Sequence, residues 1–77
     1  MKTFHYKIED DEVQESTGEV REIPPDFIEY HNSLGPEKIY YKLSDGKVTD
    51  VISEGGHEDL ARMRADDFLS ALNVNLL

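Results

Sequence analysis

The residue types that usually carry catalysis or metal binding are sparse in this sequence. The three histidines, His5, His31 and His57, are each 26 positions apart and share no short motif, so a zinc site would require the fold to gather three separate segments. There is no cysteine, and none of the serines stands in a nucleophile-elbow pattern. We therefore expect no catalytic site, no metal site and no cofactor, and we expect that the protein is not an enzyme.

Carboxylates are the distinctive chemical groups of the chain. Five of them fall within seven residues: Glu9, Asp10, Asp11, Glu12 and Glu15. A calcium loop needs a glycine in its middle, whereas the first glycine here, Gly18, comes too late. The run is typical of a solubilising segment, and it also has the charge to attract a basic protein surface at long range. We take these five residues as the candidate partner-binding site.

The overall charge narrows the class of partner. Seventeen acidic residues against eight basic ones give a formal charge of −9, which repels nucleic acid and predicts no direct contact with it. The absence of cysteine excludes a disulfide framework and favours the cytoplasm. No apolar run approaches the roughly 20 residues of a membrane span, so no membrane contact is expected.

The length predicts one small domain over residues 1–77. Apolar residues make up 38% of its 77 residues, which allows a single modest core and marginal stability. A homodimer that buries more surface would help such a chain to fold, so self-association remains open.

The first half of the chain predicts two strands separated by an acidic loop. Aromatic and aliphatic residues alternate with polar ones in the first strand, at Phe4, Tyr6 and Ile8. Residues 9–18 hold only one aliphatic residue, Val13, and are interpreted as a solvated loop. A second short strand is predicted over residues 19–23, ended by Pro24 and Pro25.

Residues 26–34 fit two structures. Phe27, Tyr30, His31 and Leu34 fall on one face of a helix, and Gly35 could cap it, so we favour a helix. The local alternation of apolar and polar residues also permits a strand.

A β-hairpin over residues 38–53 is the strongest structural signal. Asp45 and Gly46 suit the two central positions of a type I′ turn. A two-residue turn would pair Leu43 with Val48, Tyr41 with Asp50 and Ile39 with Ile52. This register leaves Asp50 among aliphatic residues, either near the edge of the sheet or displaced by a bulge that shifts the register, and we favour the first.

A C-terminal helix is predicted over about residues 57–72. Glu58 and Asp59 suit its first turn, and Leu60, Ala61 and Phe68 share one stripe. Arg64 falls inside that stripe, which predicts either a packed stem with an exposed head or a kink. Residues 73–77 give no clear pattern.

Together these elements predict an α+β fold in the order β-β-α-β-β-α. A small, mostly antiparallel sheet of three to four strands would carry one or two helices on one face. The reverse face would then be open and could serve as an interface around His5, Tyr40 and Val51.

The sequence therefore favours a non-catalytic acidic protein-binding module, a regulator or inhibitor that occupies a basic surface of a partner protein. In gross character it is similar to phage or mobile-element proteins that occupy nucleic-acid-binding sites of host enzymes, although no motif supports a family assignment. One alternative is a structural or assembly protein that self-associates through the open sheet face. A further alternative is a small metal-binding protein.

Overall fold

A computed structural model describes residues 2–30 and 38–76, with only the backbone for residues 74–76. Its strands are β1 (Lys2–Glu9), β2 (Glu12–Val20), β3 (Ile28–Tyr30), β4 (Ile39–Ser44) and β5 (Lys47–Gly55), and its helix is α1 (Glu58–Leu76). The strands form one antiparallel sheet in the order β2-β1-β5-β4-β3. The α+β class is confirmed, but the predicted sheet of three to four strands and the predicted β-β-α-β-β-α order are wrong, because the described residues form five strands and one helix.

The core lies between α1 and one face of the sheet, which we call the helix face. Tyr6 and Ile8 of β1 and Val51 of β5 are buried there against Ala61 and Phe68 of the helix. The alternation in β1 therefore sets which residues enter the core, as the sequence predicts. The opposite side of the sheet is called the back face.

Gly55 allows α1 to approach the end of β5 closely. A Cβ atom at this position would lie only 2.6 Å from the backbone nitrogen of Ala61. Only glycine leaves room for this contact, so Gly55 fixes how the helix starts on the sheet.

The predicted loop over residues 9–18 is wrong, because most of it is strand. Glu9 pairs with Glu12 across a two-residue turn whose residues Asp10 and Asp11 have φ values of 52° and 61°. Aspartate tolerates this left-handed conformation, so the acidic run can close a hairpin without glycine. The pattern is hidden because β2 is irregular: its pairing with β1 shifts twice, and Val13 is its only buried residue.

The second hairpin forms around Asp45 and Gly46, as predicted, with φ values of 53° and 78°. Leu43 pairs with Val48, but the register then shifts, and Lys42 pairs with Asp50. The extra residue lies in β5, which is the bulge alternative.

The register shift has one large consequence. Tyr41 pairs with Val51 and Ile39 with Ser53, so the predicted pairs of Tyr41 with Asp50 and of Ile39 with Ile52 are wrong. Because side chains alternate along a strand, a shift by one residue exchanges the faces of all the residues beyond it. Val51 therefore enters the core and Ile52 lies on the back face.

The predicted helix over residues 26–34 is wrong where the structure describes it. Ile28–Tyr30 forms β3, and residues 31–34 lie outside the described residues. Tyr30 packs edge-on against Phe68, with ring centroids 4.8 Å apart, while β3 pairs with β4. Pairing with the sheet thus overrides the local helical pattern.

Residues 21–27, which we call the strap, replace the end of the predicted second strand. β2 and β3 are the two edges of the sheet, so the strap crosses from one edge to the other. It crosses the back face, since the ring of Phe27 lies 5.7 Å from that of His5 and Asp26 pairs with Lys42 at 3.3 Å. The predicted open face is therefore partly covered.

The C-terminal helix is longer than predicted and is continuous. It begins at Glu58 and ends at Leu76, and Arg64 donates a hydrogen bond to the carbonyl oxygen of Glu54 at 3.2 Å without a break in the helix. In the part of the chain that the structure describes, no helix combines the length and apolar character needed to span a membrane.

Candidate functional site

The two hairpin turns lie at the same end of the sheet. β1 and β5 are antiparallel neighbours, so the end of β1 lies beside the start of β5. The turn at Asp10 and Asp11 therefore shares one end of the molecule with the turn at Asp45 and Gly46. We call this surface the acidic end and define it by Glu9, Asp10, Asp11, Glu12, Asp45 and Asp66.

Four of the five predicted partner-binding residues come together at this end. Residues 9–12 are all exposed and occupy the turn of the first hairpin and its flanks. Glu15 is also exposed, but it lies further along β2, beyond Val13. The structure thus groups the first four and sets Glu15 apart from the turn.

The helix adds a carboxylate that sequence reasoning missed. Asp66 shares a surface groove with Asp11 and Glu12, on the side of the hairpin that faces α1. Arg62 lines the same groove and donates a hydrogen bond to the carbonyl oxygen of Val13 at 3.4 Å. No signal in the sequence connects positions 11 and 66, because only the packing of α1 against β2 brings them together.

The direction of α1 strengthens the negative potential of this end. The groove beside Asp11 is also lined by Ser70 and Asn73, so the C-terminal half of the helix lies next to the acidic turn. The C-terminus of a helix carries a partial negative charge, and here its last turn contains no basic residue. The helix dipole therefore adds to the carboxylates.

The acidic turn is built from residues that cost stability. Asp10 and Asp11 both occupy the left-handed region, where the second hairpin has a glycine at its second position. Glu9 and Glu12 face each other across the strands, and like charges in that position repel. Asp10 matches Asp45 of the second hairpin, but Glu9, Asp11 and Glu12 are placed where other residues would make a more stable hairpin.

A second polar cluster lies on the back face around Asp50. This residue is 4% exposed, and its Oδ2 lies 2.6 Å from His5 Nε2 and 2.8 Å from Lys7 Nζ. Thr49 donates a hydrogen bond to its Oδ1 at 2.8 Å. The cluster joins β1 to β5 under the strap.

The environment of Asp50 makes it a poor base. Burial raises the pKa of this carboxyl, but hydrogen bonds from Lys7, Thr49 and His5, together with the charge of Lys7, outweigh burial and lower the pKa to about 2. Both oxygens are already engaged by donors. The cluster is therefore an internal ion-pair network that holds β1 and β5 together.

The predicted sheet-face interface is not assembled. Val51 is 0% exposed on the helix face, so its place in an exposed patch is wrong. His5 is half-buried in the Asp50 cluster and contacts Phe27, while Tyr40 is half-buried on the back face. The bulge in β5, which is the less favoured alternative of the sequence analysis, and the strap, which the sequence does not predict, explain the difference.

The histidines do not gather where the structure can be described. His5 belongs to the Asp50 cluster, His57 precedes α1, and His31 lies outside the described residues. Among residues 2–30 and 38–76, no group of three or more His, Cys, Asp or Glu side chains is arranged to hold a metal ion.

The chain matches no protein-family model, no curated protein and no solved structure. No residue role is therefore carried over from another protein.

Proposed function

We propose that this protein is a non-catalytic module that binds a basic surface of a partner protein through its acidic end. The observation that carries the proposal is the first hairpin turn, where two left-handed aspartates and a facing pair of glutamates concentrate charge at a cost in stability. Local choices that oppose stability without a structural gain are expected at functional positions.

The electrostatics support attraction over a distance. With a net charge of −9 and an added helix C-terminus, the acidic end would steer a Lys/Arg-rich surface toward it and speed association. By covering that surface, the protein would act as a regulator or inhibitor of its partner. A cysteine-free chain of this kind suits the cytoplasm, which we include in the proposal.

The experiment compares two charge-matched double variants. Asp10→Asn with Asp11→Asn removes two charges from the acidic turn and keeps residues that tolerate its backbone. The control, Glu22→Gln with Asp59→Asn, removes two exposed charges from the strap and from the start of α1. Both variants have the same net charge.

Binding of a fluorescently labelled Lys/Arg-rich peptide is then measured at low salt. The turn variant is expected to lose about three- to tenfold in affinity, whereas the control stays within twofold. Equal losses in both variants would show that only net charge matters and would contradict the proposal. Capture of cell proteins by the wild type, but not by the turn variant, would then identify partners.

A further inference from the structure

We propose that the groove between the two hairpin turns receives an arginine side chain of the basic partner. This inference rests on the proposed function and specifies how the acidic end holds that partner. The groove, which we call the tip groove, has a volume of about 320 Å³. It is lined by Ile8, Asp10, Asp11, Lys47, Val48 and Thr49.

The lining has the two halves that an arginine requires. Val48 of β5, which is half-buried, supplies most of the accessible apolar part beside the almost fully buried Ile8 of β1, while Asp10 and Asp11 supply carboxylates. An arginine buries its aliphatic stem on apolar surface and keeps its charged head at a polar partner. A guanidinium also forms paired hydrogen bonds with carboxylate oxygens, which an ammonium cannot do.

The size of the groove favours one side chain over a larger ligand. A volume of about 320 Å³ lies at the low end of small-molecule sites. The other groove at this end, beside Asp66, is lined by Arg62, whose own guanidinium opposes a second cation there. The tip groove also contains a cation, Lys47, but this side chain is exposed and makes no ion pair among the described residues, whereas Arg62 is held in its groove by the hydrogen bond to Val13. An incoming arginine can therefore displace Lys47 from the aspartates of the tip groove.

Lys47 is the cation of this chain that would compete with an incoming arginine. It is exposed and lines the tip groove, and it makes no ion pair with any carboxylate of the described residues. Removing it should therefore strengthen binding of a cation in the groove. Lys38 lies at the opposite end of β4, so Lys38→Met is a control with the same change of net charge.

The test uses alkylguanidinium ions as probes in amide chemical-shift titrations of the intact chain. Butylguanidinium has a head and a stem, whereas methylguanidinium has the head with almost no stem. We expect saturable shifts at the residues of the tip groove and an affinity that rises about two- to fourfold with each added methylene. Butylammonium should bind more weakly than butylguanidinium.

Three variants of groove residues, two of them with a control outside the groove, connect the binding to the groove. Asp10→Asn should weaken butylguanidinium binding about three- to fivefold, whereas Asp45→Asn, at the equivalent position of the other turn, should change it less than twofold. Lys47→Met should strengthen binding, and Lys38→Met should not. Val48→Thr keeps the side-chain shape and should weaken binding of the longer probe only, with its melting temperature recorded as a folding control.

Two results would contradict the proposal that the tip groove binds an arginine side chain. One is the absence of saturable shifts, and the other is an equal response to Asp10→Asn and Asp45→Asn. If the Lys/Arg-rich peptide still distinguishes the turn variant from its charge-matched control, the proposed function stands and only the groove fails. If the peptide also does not distinguish them, both proposals fail.

Discussion

Lys7 Nζ lies 2.8 Å from Asp50 Oδ2, and this ion pair crosses from β1 to β5 at directly opposed positions of the sheet. The bulge in β5 makes the pair possible, because it turns Asp50 toward the back face. A carboxylate that the sequence places among aliphatic residues thereby gains three donors. The bulge in β5 therefore explains both why Asp50 does not fit the predicted register and how Asp50 gains its ion-pair partners.

Asp50→Asn should lower the free energy of unfolding by about 2 kcal/mol at neutral pH, since a pKa near 2 against an ordinary value of 3.8 corresponds to that amount. The folded pKa is the lower one, so this contribution is present above about pH 4 and is lost as the pH falls toward 2. Urea unfolding at several pH values measures it. A wild type and variant whose difference in stability does not change between pH 6 and pH 2 would contradict the account of the cluster.

Tyr6 makes the stability of the fold depend on pH in the alkaline range. Its hydroxyl donates a hydrogen bond to the carbonyl oxygen of Glu58 at 2.6 Å, and burial, with the nearby charge of Glu58, raises its pKa to about 12. The folded pKa is the higher one, so the stability that it contributes is present below pH 10 and is lost as the pH rises toward 12.

Tyr6→Phe should therefore cost about 1 kcal/mol at neutral pH and remove a phenolate step near pH 12 from an ultraviolet absorbance titration. An unchanged titration in the variant would show that Tyr6 is not the shifted group.

Gly55→Ala should destabilise the fold by about 3 kcal/mol or more, because its Cβ would lie 2.6 Å from a backbone nitrogen that cannot move alone. Gly56→Ala is the matched control, since its Cβ would lie at an ordinary 3.7 Å from the Leu60 Cδ1 atom. Thermal unfolding compares the two. Similar melting temperatures for both variants would mean that α1 does not start on β5 as described.

Asp11→Gly separates stability from binding. Glycine adopts the φ of 61° at position 11 without strain, so the variant should gain about 1 kcal/mol of stability while it loses a carboxylate of the acidic end. Its affinity for the Lys/Arg-rich peptide should fall although its melting temperature rises. A variant that is more stable and binds as well as the wild type would show that Asp11 is only a turn residue.

The sequence predicts those parts of the fold that depend on local chemistry. The alternation of β1, the turn at Asp45 and Gly46, and the start of the last helix all follow from residue types a few positions apart. The sequence does not predict the first hairpin, because aspartate occupies a turn position where glycine is the usual signal. The local pattern around Tyr30 favours a helix, whereas its strand conformation depends on pairing with the distant strand β4, which also brings Tyr30 against Phe68.

The candidate site also has one part that the sequence predicts and another part that it does not predict. Residues 9–12 form a surface that the charge run alone indicates, because adjacent carboxylates need no fold to bring them together. Asp66 and the tip groove depend on how α1 and β5 pack beside the turn, and no spacing in the sequence encodes that arrangement. The bulge in β5 likewise places Val51 in the core, whereas the sequence predicts it in an interface.

The most direct test of the central claim is the salt dependence of peptide binding by the wild type, the variant with both Asp10 and Asp11 changed to Asn, and its charge-matched control. Binding through the acidic end predicts that affinity falls steeply as salt rises, with the shallowest dependence in the variant of the acidic turn. A salt-independent affinity, or the same dependence in all three proteins, would contradict the claim that this end of the molecule binds the partner.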